Sequence, residues 1–323
     1  MKTIHRYISL LLLTILVLTS CHKVTSGYLS GQVRYPDNPI QIARGIVTQT
    51  NPVDADGSSA PVTYELLDIR DSATQKHADA LFANHQRYVF TSIFDPTVDT
   101  TIDMLNSVRK LIDSPCFDYN SHTGAFTFYN TTDSVPTGTY TYDIKATNES
   151  GTKIYKNIAT FTLFDGLPYE NDGAACAWFT DGTTTSGTIS TPAMTIQRQS
   201  TNGVRVILKI EDQNGTPFNP SKNEYIKRGD RSSFQTFARF HPLIVTDTAL
   251  ICDFELTPFP LIQGAQGYTI YYRIPSNIAK IDPGIAPTND RIYSVNPRFT
   301  FRLWQGGTYL VTIHIPNVTR DPI

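Results

Sequence analysis

The chain is sparing with the residues that most reactive sites need. Its 323 residues include four cysteines, two tryptophans and three methionines. The cysteines form no C-x-x-C pair, and none sits at a Cys/His spacing suited to zinc. No G-x-S-x-G elbow occurs, which removes the serine-hydrolase pattern. The stretches "GQVRYPDNP" and "GTTTSGT" lack the lysine that a phosphate-cradling loop requires. Charged residues are only 17% of the chain and the formal net charge is −2. With no basic excess to attract a phosphate backbone, nucleic-acid binding is disfavoured. The expectation is a protein with no cofactor and no metal, and not an enzyme.

What is present begins with MKTIHRYISLLLLTILVLTSC. Lys2, His5 and Arg6 form a basic head, and Ile8 to Leu18 is almost wholly apolar. That run is shorter than the roughly 20 apolar residues a membrane-spanning helix needs. A basic head, a short apolar middle and small residues at the end read as a secretory signal over 1–20. Leu18-Thr19-Ser20-Cys21 resembles the bacterial lipobox, in which the cysteine is acylated and becomes the first mature residue. Cys21 is therefore the expected lipidation site, and the membrane a partner through that lipid. Several acyl chains at about 0.8 kcal/mol per buried methylene suffice for such an anchor. Removing 1–20 takes away Lys2 and Arg6, leaving 25 basic against 29 acidic residues, a mature charge of −4. Residues 21–29 are polar and glycine-containing, as a tether should be. Lys23 is followed by Val24 and Thr25 with no acidic pair, so an outer-membrane lipoprotein is expected with its exposed face left open.

Threonine, serine, tyrosine and phenylalanine dominate the rest, a palette that favours strands. Tyr140, Tyr142, Ile144 and Ala146 alternate with polar residues, as do Val204, Val206, Leu208 and Ile210. Phe299, Phe301 and Leu303 precede a turn at Gln305-Gly306-Gly307, and Tyr309, Val311, Ile313 and Ile315 follow it, so the pair predicts a hairpin. Strict period two implies one packed and one wet face, hence an all-β fold of two antiparallel β-sandwich domains. Helices are expected only over 99–115, with Ile102, Leu105, Leu111 and Ile112 on one face, and more weakly over 72–85. Cys252 lies in the alternating run Leu250-Cys252-Phe254-Leu256 and is expected to be buried as a small hydrophobe. Export permits disulfides, yet Cys116, Cys176 and Cys252 cannot all pair with one another.

Residues 124–164 resemble the closing strands of immunoglobulin-like or cadherin-like modules, with Pro136 to Tyr140 feeding a long strand and Asn148 to Gly151 as a hairpin tip. The first domain is accordingly expected at 30–166 and the second at 167–323, with the polar run Asp165 to Gly173 between their cores. "GYLSGQVRYPDNPIQIARG", "DGSSAPVTYELLDIRD" and "NPSKNEYIKRGDRSSFQTFARFHP" are similar to segments of an uncharacterised Bacteroidetes lipoprotein family. That resemblance implies an accessory of outer-membrane polysaccharide-uptake systems and brings no catalytic motif with it.

Several constellations carry chemistry only if folding assembles them. Asp54-Ala55-Asp56-Gly57, with Glu65 at loop position twelve, starts like a calcium loop but has glycine at position four instead of six. An Asp-Gly turn is the simpler reading. Glu65, Asp68, Glu211, Asp253 and Glu255 lie in or beside strands, and a glycosidase would need two of them facing across a cleft. Arg228-Gly229-Asp230 matches an integrin-ligand tripeptide and reads as a charged turn. Aromatic rings are the better pointer, because sugar C–H faces stack on rings whose polar edges stay wet. Trp178, Trp304 and Tyr271 are the candidate glycan contacts. The reading is a lipid-anchored, non-enzymatic glycan-binding accessory; a module that binds a partner protein is the alternative, and a carbohydrate-active enzyme the third.

Overall fold

A computed structural model describes residues 27–229 and 231–323. The secretory segment, Cys21 and Asp230 lie outside the described residues. The fold is mostly strand, 46%, with 7% helix. The all-β expectation therefore holds.

The first part contains β1 (Ile40–Ala43), β2 (Thr48–Gln49), β3 (Thr63–Asp71), β4 (His85–Phe90), β5 (Arg109–Ser114), β6 (Phe117–Tyr119), β7 (Phe126–Phe128), β8 (Gly138–Asn148) and β9 (Gly151–Phe164). A four-stranded sheet runs β1-β9-β8-β3 and a three-stranded sheet β2-β7-β6. They meet through aromatic rings: Phe126 packs on Tyr142 and Phe128 on Phe161, each at 5.0 Å between centroids. Asn148 pairs with Gly151 at the expected hairpin tip, where Gly151 takes φ +135°, a conformation side chains disfavour.

The remainder contains β10 (Tyr169–Thr180), β11 (Ser186–Ile189), β12 (Ala193–Ser200), β13 (Val204–Glu211), β14 (Ile226–Lys227), β15 (Ile244–Val245), β16 (Leu250–Asp253), β17 (Ile270–Arg273), β18 (Ala279–Ile281), β19 (Tyr293–Leu303), β20 (Gly307–His314) and β21 (Val318–Arg320). Two five-stranded sheets run β11-β10-β19-β17-β14 and β12-β20-β13-β16-β15. Val295, Phe299 and Phe301 of the first share one core with Val206, Val311 and Ile313 of the second. A separate core spans Val33 to Leu163 in the first part. Only Asp165 to Pro168 separates β9 from β10, so β10 begins inside the segment expected to link the two.

Four expectations need correction. β19 and β20 do not form a hairpin: β19 pairs with β10 and β17, β20 with β12 and β13. Alternation named the buried face of each strand correctly, but both faces point into one core from opposite sheets. The pairing is also not wholly antiparallel, since β1 lies parallel to β9 and β13 parallel to β20. The helix expected over 99–115 shrinks to α2 (Ile102–Ser107), capped by Thr101. Leu111 and Ile112 belong to β5, where pairing with β4 outweighs helical spacing. The weaker helix over 72–85 is the single turn α1 (Asp79–Phe82).

Candidate functional site

The five-stranded sheet containing β10 has two unlike faces. Its inner face carries Cys176 and Trp178 from β10, Val295, Phe299 and Phe301 from β19, and Ile270 and Tyr272 from β17, all buried. The alternate positions face outward and hold Phe179, Tyr271, Arg273, Arg298, Thr300 and Arg302. Register sets Ala175 and Tyr271 on either side of Arg298. With small Ala175 and Thr300 beside them, the long side chains stand over two shallow depressions. One of about 230 Å³ is lined by Asp172, Ala175, Thr269, Tyr271, Arg298 and Thr300. The other, about 200 Å³, is lined by Phe179, Asp181, Arg228, Arg273, Ser294 and Asn296.

Arginine–aromatic stacking organises this face. The Arg302 guanidinium lies 4.2 Å from the Tyr268 ring centre and 4.5 Å from that of Trp304. Arg228 sits 4.5 Å over Phe179 and 5.9 Å from Tyr271, and Arg231 is 5.7 Å from Tyr271. Such contacts contribute roughly 0.5–2 kcal/mol each, depending on desolvation. They hold planar donor forks in fixed directions. At the floor of the second depression Ser294 Oγ donates to the Phe179 carbonyl at 3.2 Å, and Asn296 Nδ2 donates to the Ser294 carbonyl at 3.1 Å.

The three residues singled out from sequence fare differently. Trp178 is 6% exposed, so its ring belongs to the core and not to a binding surface. Its Nε1–H donates to the Ile285 carbonyl at 3.1 Å, and Tyr293 packs edge-on at 5.1 Å. Its strand phase, shared with Cys176, turns it inward. Trp304 and Tyr271 are half-buried and lie on the outward side. The arginines were missed. Their signal was legible in Arg298-x-Thr300-x-Arg302-x-Trp304, the polar phase opposite Phe299, Phe301 and Leu303.

The other constellations resolve into ordinary structure. Asp54 pairs with Arg34 at 2.5 Å, and Asp56 and Gly57 turn through φ 48° and 73°. Glu65 pairs with Lys145 on the neighbouring strand, so the loop is a turn. No cluster of three metal-ligating side chains occurs among the described residues. Asp68 meets Arg70 and His77, Glu211 meets Lys209, Asp253 meets Arg205, and Glu255 meets Arg109 and His241. Burial opposes ionisation of Asp68, but hydrogen bonds from His77 and Arg70 hold its carboxyl below the usual range. The Arg205 hydrogen bond does the same for Asp253. A glycosidase acid needs the opposite shift. Cys116, Cys176 and Cys252 are free and buried, and burial pushes their thiols up to about 11, 12 and 12. Thiols so protonated pack as small hydrophobes.

No protein-family model and no curated protein matches the chain. Among solved structures the chain is similar to a SusE-like surface-located polysaccharide-binding protein from the Bacteroides thetaiotaomicron heparin utilisation locus, at 9% identity and a TM-score of 0.25. The match covers 88% of this chain and 54% of that one, so this chain spans about half that protein's length.

Proposed function

We propose that the protein is a non-enzymatic glycan-binding accessory of the cell envelope, held on the outer membrane by lipid on Cys21 and serving a nutrient-uptake assembly. The observation that carries the binding reading is the outward sheet face, where Tyr268, Tyr271 and Trp304 stand among arginines. Half-buried rings offer an apolar surface to sugar C–H groups while the flanking forks offer donors to hydroxyls. At roughly 3.4 Å per residue the run from Ser294 to Trp304 spans about 34 Å. That length suits an extended chain of sugars better than a single ring. The domain division at 30–166 and 167–323 is part of this reading, supported by the two separate cores.

The test is calorimetry and affinity electrophoresis on the chain from His22 onward, against plant, host and microbial polysaccharides. Saturable binding weakened by Trp304→Ala and Tyr271→Ala, with circular dichroism unchanged, is the expected result. Absence of binding across the panel would remove the glycan reading. A partner-protein reading is favoured by a different surface, the β4–β5 hairpin, where Tyr88 is 53%, Phe90 48% and Leu111 49% exposed. An apolar group of this kind marks contact with other proteins. Capture of a specific envelope protein, lost on Tyr88→Ser with Leu111→Ser, would support it.

A further inference from the structure

Some arginines of this part of the chain are matched by carboxylates, and others, among them Arg198, Arg239 and two on the outward face, bond none among the described residues. In the same part of the chain Arg205 meets Asp253 at 2.6 Å, Arg320 meets Glu224 at 2.5 Å, and Arg291 meets Asp321. On the face, Arg273 meets Asp181 at 2.6 Å. Arg298 and Arg302 have no carboxylate partner within 4.0 Å among the described residues. Arg228 and Arg231 flank Asp230, which lies outside the described residues, and add two guanidiniums beside Tyr271. Burial first, then the charges of Arg231 and Arg298, lower the pKa of Arg228. Cations crowded this way repel one another and favour an incoming anion.

Arg302 shows how the cations are held. Its Nε–H is buried and has no hydrogen-bond partner, so stacking between Tyr268 and Trp304 fixes the guanidinium. Arg298, by contrast, is exposed. A guanidinium presents paired N–H donors that fit a carboxylate or a sulfate bidentately. The whole chain has a net charge of −2, so a polyanion gains nothing from bulk attraction and would have to find this face.

We infer that the face recognises an acidic polysaccharide, with Arg298 and Arg302 contacting its carboxylate or sulfate groups and Tyr271 and Trp304 its sugar rings. This rests on the glycan reading and names the ligand class within it. The ring stacking sets the position of the sugar, and the unmatched guanidiniums set its charge.

The test uses the chain from His22 with four polymers: polygalacturonate for carboxylates, dextran sulfate for sulfates, neutral dextran, and oligothymidylate for phosphates. Expected is saturable binding of one or both acidic polysaccharides, weakening as salt rises through the screening range. Arg298→Gln and Arg302→Gln should each weaken it about tenfold, the loss of one charge-assisted contact. Arg34→Gln, which removes a cation from the first part of the chain, should leave it unchanged. The carboxylate and sulfate arms identify which anion is read. Binding of dextran alone, or acidic binding indifferent to both face variants, overturns this inference and leaves the glycan reading standing. Binding of none of the polymers, together with a negative neutral panel, removes both. Equal capture of oligothymidylate with the same arginine dependence also overturns it, because the face would then be a general polyanion trap.

Discussion

Trp178 and the Arg302–Trp304 pair occupy neighbouring strands of one sheet but opposite sides of it. The inner side is chosen by shape. Trp178 fills a pocket between Tyr293 and the Ile285 carbonyl, and a Cβ on Gly187 would fall 2.6 Å from its ring carbon Cε2. The outer side is chosen by charge and stacking, with Arg302 between two rings and Arg298 beside Tyr271. One sheet thus carries stability on one face and the candidate recognition surface on the other. Substitutions should separate the two.

The sharpest separation is Trp178→Ala. Removing a buried aromatic from a packed core costs about 3–5 kcal/mol, so urea unfolding should show a large drop in midpoint. Any loss of ligand binding should follow unfolding and not precede it. If the variant kept its stability, the inner face would not be the structural one. Next comes the matched arginine, Arg320. Its removal leaves Glu224, whose side chain is 3% exposed, as an unpaired buried charge. Breaking such a pair costs about 3 kcal/mol.

The same pair sets a pH dependence. Burial raises the Glu224 carboxyl, but the Arg320 hydrogen bond and the Asn219 N–H outweigh it and leave its pKa below the ordinary value. A lowered folded pKa contributes stability that is fully present above the unfolded value, about 4.3 for glutamate. It is lost as pH falls through the folded value. Asp253, held down by Arg205, acts with the same sign from about 3.9 downward. Unfolding free energy should therefore decline below about pH 4. Arg320→Gln should flatten part of that decline, and an unchanged slope would show that this pair does not set it.

Gly187→Ala tests the inner face from the neighbouring strand. The added methyl meets the Trp178 ring, and overpacking of this kind costs about 1–3 kcal/mol. The smallest stability effect is expected at Arg298→Gln, within about 0.5 kcal/mol because the side chain is exposed and unpaired. A larger loss there would mean that the outer face is structural too, and the contrast between the faces would collapse.

Much of the strand pattern was legible in advance. Tyr142, Val206, Phe299, Phe301 and Tyr309 are buried on the phases that alternation indicates. Cys252 lies in the core as its run implied. The helix ending in Leu111 and Ile112 was misjudged because two adjacent apolar residues fit either period, and β4 supplied the deciding partner. Trp178 was misjudged for a related reason. A glycine-rich polar loop follows it, but its own phase matches Cys176.

Sequence by itself determined the alternation of β8, β13, β19 and β20 and the face each of them buries, because side-chain period is a local property. Tertiary structure alone decided that β19 and β20 join different sheets and that Arg298 and Arg302 lack carboxylate partners among the described residues. Period two specifies a face but not a neighbour. Neighbours come from pairing between residues far apart in the chain, and so does the match or mismatch of charge across a sheet.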